Sequence, residues 1–253
     1  MTPPASPRPG PCWVRRTRFA LIAGCLTWGL PCLADADLRI VAPTNQSMPM
    51  LRMADKRAAE GLLKDLGEVL AQRLGLNPVF LPFPSKRAAP AVATGAADLL
   101  CYAKPEWLEA DLLWTQPFLS GTGIIAAGPN APPVSQLQDL RDEPLGTVLG
   151  YRYPVIDQAL TRPIPREDVA DAETNLRRLA LGRIRYAVTD RDALAYYLKR
   201  HPTPSLREVI EVEHYQLGCA LSPAKAGLLQ PLNRAIDRMR ADGTLDKLLN
   251  RYR

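Results

Sequence analysis

Few residues in this sequence are spaced for covalent chemistry. His201 and His214 stand apart from each other and from any close cysteine pair, so no zinc-ligand spacing arises. We find no nucleophile–base pair and no Gly-x-x-x-x-Gly-Lys run to cradle a phosphate. What remains is binding chemistry. Asp190 closes the short apolar run Tyr186-Ala187-Val188-Thr189, and Arg152 stands between Tyr151 and Tyr153 just after Gly150. Tyr102 ends another apolar run, and Trp107 follows it closely. A carboxylate and a guanidinium at such places meet ligand charge, and aromatic rings meet its flat or apolar part. Met48 and Met50 offer soft, adaptable walls, or else they fill a core. Alternatives stand beside each assignment. Asp190 also suits a helix N-cap before Asp192-Ala193, Trp107 suits packing on the segment 108–114, and Arg152 suits a solvated surface.

These residues need a scaffold that brings strand ends together, and the pattern supplies one. Leu38 to Ala42, Val79 to Leu81 and Leu99 to Tyr102 read as strands, separated by helices over Gly61 to Leu74 and Ala88 to Thr94. Gly75 suits a left-handed cap on the first helix. Strands alternating with helices indicate parallel βαβ units, which carry ligand sites at the C-terminal ends of their strands. The stretch from Asp98 to Phe118 is expected to form one cleft wall. It then crosses through Ile124 to Ala127 into a second lobe.

That lobe repeats the logic. It has a strand at Gly146 to Leu149, a helix from Val155 whose N-terminal amides would suit an anion, a helix over Asn175 to Leu181, a strand at Tyr186 to Val188, and a helix over Ala193 to Lys199. Val209 to Val212 and Gln216 to Leu221 read as two strands leading back to helices over Leu228 to Arg240 and Leu245 to Tyr252.

The formal net charge is +6, from 32 basic and 26 acidic residues. Arg8, Arg15, Arg16 and Arg18 precede the uncharged run Phe19 to Leu33, which has the form of a signal peptide with cleavage after Ala34 or Ala36. The run falls short of the roughly 20 residues a spanning helix needs. Ile22-Ala23-Gly24-Cys25 offers an alternative lipoprotein site. Cleavage after Ala36 leaves 28 bases and 25 acids, a net of +3 with no basic run, so the charge gives no reason to expect nucleic-acid binding. Cys101 and Cys219 remain after cleavage. In an oxidising compartment they can pair, and in apolar strands they also suit buried free thiols.

Four segments together carry a resemblance. They are Gly61-Leu62-Leu63-Lys64-Asp65-Leu66, then Thr94-Gly95-Ala96-Ala97-Asp98-Leu99, then Leu179 to Ile184 with Asp190 beyond. The fourth is Leu232-Asn233-Arg234-Ala235-Ile236 with Ala241-Asp242-Gly243-Thr244-Leu245 and Tyr252. In this order, from Leu38 to Tyr252, the chain resembles the periplasmic solute-binding proteins of the amino-acid-binding kind that feed ABC importers. The resemblance implies the type II periplasmic-binding-protein fold: an α/β protein of two lobes, each a mostly parallel sheet flanked by helices, joined by a two-strand hinge. The expected division is a signal peptide over 1–36, lobe 1 over 37–123 and 213–253, and lobe 2 over 124–212.

The resemblance further implies that Asp190 holds a ligand amino group. The sequence departs from the family where an α-carboxylate would be clamped, because Trp107 stands where the arginine would align. Tyr151, Arg152 and Tyr153 replace small hydroxyl residues, and Met48-Pro49-Met50 replaces an aromatic. The expected ligand-binding set is Asp190, Trp107, Arg152, Tyr151, Tyr153, Tyr102 and Met50, with no catalytic residue, metal or cofactor. The expected function is a monomeric periplasmic binding protein that closes over a small polar or aromatic-containing ligand and presents it to an ABC permease. Sensing for a signalling partner is the first alternative. A periplasmic dehydratase, for which Asp190 is the one acid/base candidate, is the second.

Overall fold

The computed structural model describes residues 36–161 and 163–252, and the leader expected ahead of Ala36 lies outside them. The first parallel unit runs from β1 (Asp37–Pro43) through a short hairpin of β2 (Arg52–Ala54) and β3 (Arg57–Glu60), helix α1 (Leu62–Leu74) and β4 (Asn77–Phe83) to helix α2 (Ser85–Ala93) and β5 (Leu99–Ala103). Gly75 ends α1 in the left-handed conformation, as its position predicts. A 3-10 turn at Pro105–Trp107 and the short β6 (Leu113–Trp114) lead into β7 (Leu119–Ala127).

The second half holds a 3-10 turn at Leu137–Leu140, β8 (Leu145–Val148), α3 (Pro154–Leu160), β9 (Arg166–Val169), α4 (Ala172–Ala180), β10 (Tyr186–Asp190) and α5 (Arg191–Arg200). The chain returns along β11 (Arg207–Leu221), then a 3-10 turn at Pro223–Leu228, α6 (Leu229–Ala241) and α7 (Thr244–Tyr252). The strands pair in the order β4-β1-β5-β11-β7-β10-β8-β9, with β6 also on β11. β1 is parallel to β4 and β5, and β8 is parallel to β10 and β9. β7 and β11 run antiparallel to each other between these groups, with Gly123 opposite Glu213.

Side chains alternate across each strand, and this divides the core. In lobe 1, Leu38 and Ile40 pack with Leu66, Leu70, Leu232 and Ile236, whereas Val41 and Leu100 pack on the other face with Ala88 and Val92 of α2. In lobe 2, Ile125 faces Leu145, Ile156 and Tyr186, and Ile124 faces Leu176, Leu179 and Leu194. These are the two lobes of the expected α/β fold, and the two long strands cross between them.

The recurrent motif residues brace lobe 1. Asp98 is 1% exposed and accepts from the Arg39 backbone amide, Nε and Nη2 at 2.9, 3.1 and 2.6 Å, tying β1 to β5. Burial pushes its carboxyl up, but the Arg39 hydrogen bonds outweigh that and hold it below the ordinary range. Asp65 accepts from Tyr252 Oη at 2.9 Å and pairs with Arg251, seating α7 on α1. Asn233 Oδ1 accepts the Gln116 amide at 2.9 Å, and Asp242 pairs with Arg73 at 2.6 Å.

The structure differs from expectation in three places. The strands expected at Val209–Val212 and Gln216–Leu221 are one continuous β11, which absorbs register shifts between Glu208 and Ile210 and between Glu211 and Glu213. The β2–β3 hairpin and β9 carried no sequence expectation. Finally, α3 has only seven residues and starts on Pro154, which has no N–H to offer an anion. The Val155 and Ile156 amides that follow are the donors left there, and Asp157 already bonds back to the Tyr153 carbonyl.

Candidate ligand cleft

Strand ends from both lobes converge on a cavity of about 190 Å³. Lobe 1 contributes Tyr102 at the end of β5 and Trp107 on the 3-10 turn that follows. The Lys104-Pro105 step turns the chain here, since the residue before proline is held extended. Tyr102 is buried with φ of 61°, a left-handed conformation that costs a non-glycine residue energy and clusters at functional sites. Lobe 2 contributes the segment after β8, with Tyr151, Arg152 and Tyr153, and the end of β10, with Thr189 and Asp190. The crossing strands supply Gly123, Glu213 and Tyr215.

Asp190 occupies the N-cap position of α5, yet its side chain makes no capping bond. It turns instead to β11, where the Tyr215 hydroxyl donates to Oδ1. Burial, reinforced by the nearby Asp192 and Glu213 carboxylates, pushes its pKa up from 3.8 to about 7. Thr189 beside it is buried, and its Oγ1 has no hydrogen-bond partner among the described residues.

Tyr215 is the hub of the wall. Its ring meets Trp107 edge-on at 5.0 Å between centroids. The Lys104 ammonium lies 5.2 Å from the Trp107 centroid and 5.5 Å from that of Tyr215, and pairs with Glu213 at 2.7 Å. Gly121 makes room for this ring, because a Cβ there would sit 2.3 Å from Tyr215 Cε2.

On the opposite wall, burial raises the Tyr151 phenol above its ordinary range; the Asp190 charge adds to this, and a hydrogen bond with Gln46 opposes it. The Tyr153 hydroxyl accepts the Val148 amide at 3.0 Å, while Arg166 stacks on its ring at 5.0 Å. Tyr153 is therefore a fixed wall with its polar tip engaged. Arg152 lies at the rim, its side chain 51% exposed, and pairs with Glu109 across the cleft.

Of the seven residues proposed from sequence, the structure brings six to this cavity: Asp190, Trp107, Arg152, Tyr151, Tyr153 and Tyr102. Met50 is a correction. It is 4% exposed in the lobe 1 core beside Leu62 and Leu66, and its carbonyl accepts the Leu63 amide at 2.9 Å. The loop after β1 folds back on α1, so Met50 turns away from the cleft. Sequence reasoning missed Tyr215, Glu213, Thr189 and Lys104. The first two lie in the gap between the two strands expected there, and reading one unbroken strand would have placed both.

Among the described residues no group of three or more His, Cys, Asp or Glu could hold a metal, and no helix is long and apolar enough to cross a membrane. Cys101 and Cys219 are joined in a disulfide within the same buried cluster as Tyr102 and Tyr215.

A family model for bacterial extracellular solute-binding proteins, family 3, matches residues 40–253. The chain belongs to that family. Among solved structures, this solute-binding protein is similar to an ancestral arginine-binding protein bound to glutamine, at 21% identity and a TM-score of 0.73, over 86% of this chain and 97% of that one. It is similar to an ancestral amino acid-binding protein described as a precursor of cyclohexadienyl dehydratase, at 23% identity and a TM-score of 0.72, over 86% and 95%. A histidine kinase sensor domain with similarity to periplasmic binding proteins matches at 17% identity and a TM-score of 0.71, over 86% and 96%. At these identities the likeness shows the two-lobed fold. No curated protein matches the solute-binding protein.

Proposed function

We propose that the chain is an exported binding protein, periplasmic after loss of its leader, which closes its lobes over one small ligand at Asp190 and delivers it to an ABC importer. The observation that carries this reading is the cavity itself. Both lobes wall it, at the C-terminal ends of their strands, and it holds a buried carboxylate and an aromatic face. Lobe motion would turn on the two crossing strands near the Gly123–Glu213 pair, dividing lobe 1 (37–123, 213–253) from lobe 2 (124–212). Asp190, Tyr102, Trp107, Tyr151 and Tyr153 would contact the ligand, with Arg152 at the rim.

Its cavity is smaller than the roughly 300 Å³ at which drug-sized sites begin, so a ligand of about amino-acid size fits. The dehydratase reading has one observation in its favour. Asp190 titrates near 7, where a general acid or base works well. Tyr215 already donates to that carboxyl and Glu213 is held by Lys104, so no second lining carboxylate is free to act with it.

A thermal-shift screen of amines, amino acids, organic acids and sugars on the mature chain, with small-angle scattering on each hit, tests the proposal. A ligand that binds must raise the melting temperature by mass action, and the radius of gyration should fall with it. Failure of every compound would sink the solute-binding reading. Steady consumption of a ligand would replace it with the enzymatic one.

A further inference from the structure

This inference rests on the cavity being the solute site, and adds the solute's chemical class. We propose that the solute is a small primary amine lacking a carboxylate, its ammonium held by Asp190 and Thr189 and its apolar or aromatic body held by Tyr102, Trp107, Tyr151 and Tyr215.

The argument is a balance of charge. Arg152, Asp190 and Glu213 are the lining residues with carboxylate or guanidinium side chains. Arg152 is matched by Glu109 at the rim, and Glu213 by Lys104 at 2.7 Å. Arg166, behind Tyr153, is matched by Asp168 at 2.7 Å and also donates to the Tyr151 and Val148 carbonyls at 3.1 and 3.2 Å. A ligand carboxylate entering here meets no unmatched lining cation, and it would lie against Asp190. Burying it that way is costly. An ammonium does the reverse, because it supplies the counter-charge that Asp190 lacks.

The polar atoms refine the class. Thr189 Oγ1 is buried without a partner among the described residues, one residue from Asp190. An N–H donor would satisfy both groups, whereas a quaternary ammonium has none to offer. The aromatic wall already seats the Lys104 ammonium within 5.5 Å of two rings, so its electrostatics suit a cation.

Proton linkage follows from the geometry. Asp190 faces Asp192 of α5, Glu213 and Tyr215 of β11, and Tyr151 and Tyr153 after β8; the Lys104 ammonium, 5.5 Å from the Tyr215 ring, is paired with Glu213. Bringing an ammonium to this carboxyl should expel its proton below pH 7.

The test is calorimetry on the mature chain with matched pairs that differ by one carboxylate: phenethylamine against phenylalanine, agmatine against arginine, and cadaverine against lysine. In the pair that binds, the amine should bind at least about tenfold tighter than its amino acid. Asp190→Asn should weaken the amine by about 10–100-fold, the range of a charged hydrogen bond, with circular dichroism and melting unchanged enough to show folding. Amine binding at pH 6 should release protons, read from buffers of different ionisation enthalpy, and at pH 8 it should not. An amino acid that binds as tightly as its amine overturns the inference, as does binding confined to acids or sugars; either result leaves the solute-binding reading standing. Binding by no compound of any class removes both.

Discussion

Cys101 of β5 stands opposite Cys219 of β11, and the disulfide between them closes a sequence separation of 118 residues. It ties β5, which bears Tyr102, to β11, which bears Glu213 and Tyr215, and both cysteines are buried. In the chain-entropy account, a bridge across about 100 residues contributes about 4.7 kcal/mol by restricting the unfolded chain. Cys101→Ala/Cys219→Ala, or reduction of the native chain, should lower the melting temperature by about 10–20 °C. Melting curves with and without reductant check this. Coincident curves would mean the strand pairing needs no covalent help.

Gly121 and Tyr215 give the second prediction. A Cβ at position 121 would lie 2.3 Å from the ring and 3.1 Å from Tyr102 Oη. Tyr215 is buried, so it cannot swing into water without leaving Asp190 and Trp107. Gly121→Ala should cost about 1–3 kcal/mol by overpacking. It should also weaken ligand binding by at least tenfold, about the worth of one charged hydrogen bond. Melting and titration calorimetry on the variant separate the two effects.

How much of this was readable follows from range and chemistry. Parallel strands buried on both faces are near-continuous apolar runs, so β1, β5 and β10 stand out in the sequence. Residues at strand ends follow from them, which is why Tyr102 and Asp190 were legible. The β2–β3 hairpin was not, because its turn is made by Asp55 and Lys56 at φ of 48° and 62°, without the glycine that usually marks such a turn. Tyr215 owes its place at the site to a pairing with Gly121 some ninety positions earlier, and no local pattern encodes that register. Met50 misled because a methionine in a loop suits a pocket and a core equally. The fold-back of that loop on α1 decided for the core.

The raised Asp190 carboxyl makes stability depend on pH with a definite sign. Unfolded, the group titrates near 3.8, and folded near 7. Between those values the folded chain binds the extra proton. Raising pH across that window therefore removes stability, and the loss is complete above about pH 7. Asp190→Asn has no such charge to bury. Its melting temperature relative to wild type should rise from pH 4 to pH 8. An unchanged difference would show that the carboxyl is not held neutral by its surroundings.

Arg152 and Glu109 pair across the cleft mouth with side chains 51% and 80% exposed. Exposed ion pairs contribute about 0–1 kcal/mol and are screened by salt. Arg152→Ala should therefore change ligand affinity by less than about fivefold, and high salt should erase most of that change. A loss of two orders of magnitude would instead make Arg152 a direct holder of ligand charge. Calorimetry at low and high salt distinguishes the two.

Asp98 offers a harder test of which residues are structural. Its carboxylate is 1% exposed and takes three bonds from Arg39. Removing one partner of a fully buried pair costs about 3–5 kcal/mol, because the other charge is stranded. Here the Arg39 side chain is 37% exposed and can turn to water, so stranding is incomplete. The lost bonds to a charged group then set the scale, about 1.5–3 kcal/mol. Asp98→Asn should lose most of that and Asp98→Ala all of it, measured by denaturant unfolding at neutral pH. Because Asp98 sits at the entry to β5, at the opposite end of the strand from Tyr102, ligand affinity in the folded variants should stay within about threefold of wild type, well short of the loss of one charged hydrogen bond. Affinity that falls in step with stability would instead mean that the motif aspartate positions the Tyr102 wall as well as the sheet.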